Sequence, residues 1–288
     1  MRGRASAAMR LEHYLPQQLI KMNNNDLRNP NLQITIRISR SSISFAVGDP
    51  KSDGNIVYEP YEVNGSISMS ANLREAFNTV ELLRSGYKNA LLLIDSTVML
   101  VPQEEYVEAH APSLYRYTIG GHAKDDIARA QLPELNVTAV FSVSHDIRIV
   151  LQDHFENVNI LPVILPVWRH LYHKAFTGSR QKLFAYFHDK RMNVFRFDHA
   201  HFRYANCFDC SHAHDALYYI LYVWKLMGMD NNSDELYLVG DMPHADWLKE
   251  NIGKYLSRAF AVNEAADFKQ NEMAKRKDVP YDLKAMYL

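Results

Sequence analysis

Long apolar runs are missing from this chain: no window of about 18 or more apolar residues exists, so no membrane-spanning helix is expected. Cysteine is nearly absent. Cys207 and Cys210 are too few for a disulfide scaffold and agree with a reducing, cytoplasmic compartment. An excess of either charge is missing too, since 32 Lys and Arg face 33 Asp and Glu for a formal net charge of −1. That balance excludes a general attraction to nucleic acid or anionic lipid. The many tyrosines and phenylalanines are interleaved with no basic run outside Lys275-Arg276-Lys277, so a stacking surface for nucleic acid is not expected. P-loop, Gly-x-Ser-x-Gly and His-Glu-x-x-His motifs are also lacking.

What remains is a globular chain of 288 residues, long enough for about two domains. Residues 1–31, rich in asparagine near Asn23-Asn24-Asn25, read as a poorly ordered lead-in, with Met9 and Met22 as alternative starts. From Leu32, apolar residues alternate with polar ones through Ile34, Ile36 and Ile38, the period of a half-buried strand. Ile43 to Val47 and Asn55 to Val63 extend this into a three-stranded meander across the turn-rich Gly48 to Gly54. A helix over about 71–85, with Asn72 and Glu75 as a cap pair, and the buried strand Ala90 to Ile94 follow. Gln103 to His110 looks helical, and Pro112, Gly120 and Gly121 suggest a small insertion near 103–133. Val137 to Val143 and Asn159 to Leu161 read as strands, and the helix from Val163 to Phe176 must kink or restart at Pro166.

A second unit repeats the order. Leu183 to His188, Met192 to Phe197 and His201 to Phe208 are strands, and Ala216 to Met227 is apolar almost all round, as expected of a buried central helix. Leu236 to Val239 is a buried strand, Ala245 to Leu256 a helix and Ala259 to Val262 a closing strand. The expected organisation is a first unit over 32–178, a second over 179–262 and a tail over 263–288, mobile apart from docking by Tyr281, Leu283, Met286 and Tyr287.

Three antiparallel strands, helix, strand, helix, strand, given twice, resembles the duplicated ribonuclease-H-like fold of the actin-like ATPase superfamily. More closely, Leu100-Val101-Pro102, Asn206 and Asp215 with Tyr218-Tyr219 resemble an uncharacterised bacterial family assigned that fold. The resemblance implies an α/β protein of two ribonuclease-H-like halves, with mixed sheets and helices on both faces. It also implies where chemistry would lie. Active members hold phosphate and metal with an Asp-x-Gly turn between the first two strands of each half, and support adenosine with a Gly-Gly turn. Carboxylates hold Mg²⁺ or its waters, and glycine lets the backbone approach phosphate.

At those stations this chain has Ser39-Arg40-Ser41-Ser42, His188-Asp189-Lys190-Arg191 and Gly240-Asp241. The first has neither Asp nor Gly, the second one Asp, and the third one glycine. Arg40, Lys190 and Arg191 could attract an anion, and Ser41 and Ser42 could donate to phosphate, yet no paired carboxylate set offers metal-assisted phosphoryl transfer. The leading expectation is therefore a catalytically degenerate scaffold that binds another protein, with no cofactor and no catalytic residue. The alternative is a divergent ATPase or kinase-like enzyme that takes ATP with Mg²⁺ and uses Asp189 and Asp241, with Ser39, Ser41, Ser42 and Gly240 in its cleft.

A third reading is zinc. Cys207-x-x-Cys210 lies beside His212 and His214, residue types that close tetrahedral sites. Against it, on a regular strand the spacing sends the two thiols to opposite faces unless the chain turns after Phe208. A redox pair would want the Cys-x-x-Cys at a helix start directly after a strand, and the preceding meander is the wrong context. Tyr218, Tyr219 and Tyr222 read as core and interface residues, and aromatics are enriched at protein interfaces.

Overall fold

The computed structural model of the chain describes residues 33–48, 56–199, 201–268 and 276–287. The lead-in of 1–31, the centre of the Gly48 to Gly54 turn and Lys275 lie outside them.

The alternation at Ile34, Ile36 and Ile38 builds β1 (Gln33–Ile38), which pairs antiparallel with β2 (Ile43–Val47), itself paired with β3 (Val57–Tyr61). The apolar run after it forms β4 (Asn89–Ile94), which lies parallel between β1 and β8 (Asn157–Pro162). The sheet order is thus β3-β2-β1-β4-β8. The second sheet reproduces it. β9 (Lys182–His188), β10 (Arg191–Asp198) and β11 (His201–Asp209) form a meander, and β12 (Glu235–Gly240) and β13 (Ala259–Ala261) add in parallel beyond β9. Its order is β11-β10-β9-β12-β13.

The region expected as a small insertion is more substantial than its sequence implied. β5 (Val98–Pro102), β6 (Asp126–Leu132) and β7 (Val137–Val143) make a third, antiparallel sheet ordered β5-β7-β6. The expected helix at Gln103 to His110 is a series of turns, and the helix is α2 (Ala111–Ile119). Pro112 opens that helix instead of breaking it, because the first turn has no use for its missing N–H.

Two other expectations change for local reasons. α1 (Met69–Thr79) is capped by Ser68, whose side chain accepts from Ala71 N, and not by Asn72. Asn72 is fully buried and instead ties the preceding loop, accepting from Asn64 N at 2.8 Å and donating to Asn64 O and Ser68 O. α3 (His145–Gln152) packs Val150 and Leu151 into the main core with Leu73 and Ala76 of α1. In α4 (Ile164–Ala175), Pro166 falls in the first turn and the helix continues through it.

α4 follows the first sheet in sequence but packs on the second, with Trp168 4.9 Å from Phe202 and Tyr172 5.4 Å from Phe197, ring to ring. The end of the chain does the reverse. After α5 (Ala213–Leu226), α6 (Ala245–Gly253) and the short α7 (Glu264–Asp267), α8 (Tyr281–Met286) returns to the first sheet. There Leu283 and Tyr287 join Leu91 and Leu93 in one apolar cluster, and the Tyr287 hydroxyl bonds Thr35 at 2.8 Å. The described part of the tail is docked through Tyr281, Leu283 and Tyr287 as expected, and Asp282 and Lys284 are buried with them.

α5 departs from expectation. Its sequence predicts burial all round, but only the side carrying Ala216, Ile220, Val223 and Trp224 is buried, against the second sheet. Tyr218, Tyr222 and Leu226 are more than half exposed.

Candidate functional site

In this fold the turns that end β1 and β9 face each other where the two sheets meet, and the structure brings both stations together there. The first turn closes on itself through Ser39 N donating to Ser42 O at 2.9 Å and the Ser39 and Ser42 hydroxyls 2.7 Å apart. The second is a two-residue turn in which Asp189 and Lys190 both have positive φ, 43° and 61°. A hairpin of this hand normally uses glycine, and each non-glycine residue there costs about 1 kcal/mol or more. Asp is one of the few non-glycine residues that take up this conformation readily, whereas Lys190 carries the larger part of that cost.

Arg37 explains why the two turns touch. Strand alternation puts Ile34, Ile36 and Ile38 on the face packed by α1 and α3, and sends Thr35 and Arg37 to the opposite face, under α8. Both faces are covered, so Arg37 is 2% exposed. A buried guanidinium must be paired. Its Nε and Nη2 each reach one oxygen of Asp282 at 2.8 Å, Nη2 also reaches Asp189 Oδ2 at 2.8 Å, and Nη1 donates to Ser42 Oγ at 3.1 Å. Ser42 Oγ in turn donates to Asp189 Oδ1 at 3.3 Å, and Tyr186 donates its hydroxyl to Asp282 Oδ2 at 2.8 Å.

The electrostatics follow from this geometry. Burial by itself would raise the Asp189 carboxyl, but the neighbouring His188, the Arg37 guanidinium and Ser39 hold it well below the usual carboxylate range. His188 Nδ1 stands 3.6 Å from Asp189, too far for a good hydrogen bond, so the Arg37 contact is the stronger one. Burial also opposes the charge on Arg37, and Asp282 followed by Asp189 overcomes it, holding the guanidinium well above its ordinary value.

Two more pairs join the sheets at this end. Arg191 Nη1 meets Asp95 at 2.7 Å, with Nη2 on Thr97 Oγ1 at 3.0 Å, and Arg40 meets Asp209 at 2.7 Å on the surface. The buried pair leaves Asp95 Oδ2 and Arg191 Nε without partners.

The remaining candidates are placed apart from this network. Ser41 is exposed beside it. Gly240, at φ +83°, ends β12 so close to β9 that an added Cβ would stand 2.3 Å from the Phe187 carbonyl oxygen, which gives this glycine a packing role. Asp241 follows with its N–H on that same carbonyl at 3.1 Å and its side chain exposed.

The sulfur atoms do not converge. Cys210 is buried in the core beneath α5, whereas Cys207 lies one face over, beside Arg191, and burial pushes both thiols up to about 11. His212 precedes α5 and His214 packs its ring 4.2 Å from Trp247. Among the described residues no three ligand-type side chains gather as a metal site. Sequence reasoning missed Arg37, Asp95, Tyr186 and Asp282. The available signal was Arg37 itself, a charge within an otherwise apolar strand.

A search of the curated proteins finds no match. Solved structures do match. A protein of Bacteroides thetaiotaomicron VPI-5482 described as having an actin-like ATPase fold and unknown function superposes with a TM-score of 0.78 at 22% identity, covering 92% of this chain and 98% of the other. A structure of the PilM-PilN type IV pilus biogenesis complex matches with a TM-score of 0.57 at 12% identity, over 89% of this chain and 97% of the other. The chain therefore has the actin-like ATPase fold. The sequence profile described as Protein of unknown function (DUF3822) matches residues 22–258, and the chain belongs to that family.

Proposed function

We propose that this chain is a catalytically degenerate actin-like protein that acts in the cytoplasm by binding another protein, without turning over nucleotide. One observation carries the reading: the groups that would face a phosphate are used up by each other. Asp189, the one carboxylate left at the phosphate turns, has Oδ2 on Arg37 and Oδ1 on Ser42. A hard cation needs several free oxygen ligands, and both oxygens of Asp189 are already engaged, while Asp95 keeps a single oxygen outside its pair with Arg191. The PilM-PilN complex supports the second half of the proposal, as a case in which a chain of this fold is found with a protein partner.

The rival reading, a divergent ATPase using Asp189 and Asp241, gives the opposite result in one experiment. Calorimetric titration with ATP, with and without Mg²⁺, is expected to give no binding tighter than about 1 mM. Micromolar binding with slow hydrolysis that disappears in Asp189→Ala would overturn the proposal. Affinity purification from the native cell would then identify the partner.

A further inference from the structure

A cavity of about 440 Å³ opens between the second sheet, the end of α4 and the start of α7. Its size falls within the range of small-molecule sites, roughly 300–1,000 Å³. β12 borders it at Glu235 and Tyr237 and ends at Gly240. At the rise of a strand, Glu235 stands about 16 Å from Gly240, so the cavity is separate from the facing turns and the Arg37 network.

Strand register builds its floor. Phe184 of β9, Tyr237 of β12 and Phe260 of β13 are direct cross-strand partners, so their side chains share one face of the sheet. The rings follow one another at 5.5 and 5.6 Å. The row starts in the core, where Phe184 is 1% exposed and stacks on Phe195, and it ends at the β13 edge, where Phe260 is 40% exposed. Leu171 of α4 and Ala266 of α7 add apolar lining. A floor of neighbouring rings suits a planar aromatic ligand.

The charges around the cavity are unequal. At the α4 side Lys174 meets Asp267 one to one. At the start of β12 a single carboxylate, Glu235, accepts from Arg258 at 2.9 Å and Arg180 at 3.3 Å on Oε1, and from the Tyr237 hydroxyl at 2.9 Å on Oε2. Lys182, its cross-strand neighbour, is buried and bonds Thr177 and the Lys174 carbonyl. Three cations therefore surround one anion. Arg258 is the one that lines the cavity and has donors to spare. Only its Nη2 makes a hydrogen bond among the described residues, and Nε is buried without a partner. Its guanidinium also stands 5.6 Å from the centre of the Phe260 ring, which puts the excess positive charge at the exposed end of the aromatic row.

We propose that this cavity binds a small aromatic carboxylate, with its ring on Tyr237 and Phe260 and its anionic group on Arg258. The planar fork of a guanidinium matches a carboxylate, whereas a cation of the same shape would meet uncompensated positive charge. The inference is independent of whether the facing turns bind nucleotide.

Calorimetric titration of the full chain with 2-naphthoate, and separately with 2-naphthylmethylammonium, tests it. The carboxylate is expected to bind saturably with Kd below about 1 mM, and the cation at least about tenfold more weakly. Arg258→Gln and Phe260→Ala should each weaken naphthoate binding about tenfold or more. Thermal melting checks that both variants fold, and Phe260→Ala, at a partly exposed position on an edge strand, decides the matter should Arg258→Gln not fold. Naphthoate should slow hydrogen exchange across residues 258–267 and leave 39–42 and 188–191 unchanged. No saturable binding, equal binding of the cation, indifference to either substitution, or protection at the facing turns in place of the cavity would each overturn the proposal.

Discussion

Replacing Asp282 by asparagine keeps the shape of the C-terminal helix and removes one charge from the centre of the molecule. In the wild type, Asp282 is fully buried and receives Nε and Nη2 of Arg37, both at 2.8 Å, and the Tyr186 hydroxyl. An amide offers one acceptor oxygen and turns its NH₂ toward a donor, so the fork is lost and one buried donor is stranded. Breaking a buried pair by removing one partner costs about 3–5 kcal/mol. Asp189 still contacts the guanidinium from a partly exposed position, which places the expected loss near the lower end, about 3 kcal/mol. At roughly 2–4 °C per kcal/mol for a chain of this size class, the midpoint should fall by about 6–12 °C in calorimetry at neutral pH. The double variant Arg37→Met, Asp282→Leu removes both buried charges together and should recover part of that loss, although it leaves the Tyr186 hydroxyl without its acceptor and Asp189 without Arg37. A shift below about 1 °C in Asp282→Asn, or additive losses in the double variant, would refute the view that Arg37 depends on the tail.

The seam should also be sensitive to acid. Because the folded Asp189 carboxyl lies below its unfolded value, its contribution is complete above about pH 5 and drains as pH falls through 4, and Asp189→Asn should flatten that limb of the urea-midpoint profile. Gly240→Ala should cost more than about 2 kcal/mol in chemical denaturation, combining a positive φ with an overlap on the Phe187 carbonyl. A smaller loss would mean that β12 can shift away from β9. With both thiols raised to about 11, alkylation of Cys207 and Cys210 in the folded protein should be slow at pH 8 and accelerate toward that value, and stoichiometric zinc in purified protein would contradict their placement on opposite faces.

Much of the scaffold was legible because local pattern carries it. Alternation located β1, β9 and β10, and unbroken apolar runs located β4 and β12, the strands buried on both faces. The same reasoning misplaced what depends on distant packing. α5 is apolar on every side, but hydrophobicity does not say whether a neighbour exists to cover each side, and tyrosines tolerate water through their hydroxyls. Pro112 and Pro166 read as breakers because their positions relative to a first turn were unknown. The turns after β1, β9 and β12 fall at Ser39, Asp189 and Gly240, where the pattern placed turns, yet the contacts they make were hidden. Arg37 looked like the polar side of a half-buried strand, and its principal counter-ion lies 245 residues later, a separation no local periodicity spans.

That distant pairing bears on the proposed loss of phosphate binding at these turns. Had the turns decayed to solvated hairpins, the cleft would be an idle space able to open at little cost. Instead one guanidinium is shared by β1, the β9–β10 turn and α8, so that separating any of the three strands a buried charge. A polyphosphate entering between the turns would have to displace the Arg37–Asp189 contact and bring its own negative charge beside Asp189 and Asp282. At Asp189, Mg²⁺ could offset the repulsion by taking carboxylate oxygens that Arg37 and Ser42 already hold. Both routes oppose the same buried network, which favours a closed scaffold over a cycling enzyme.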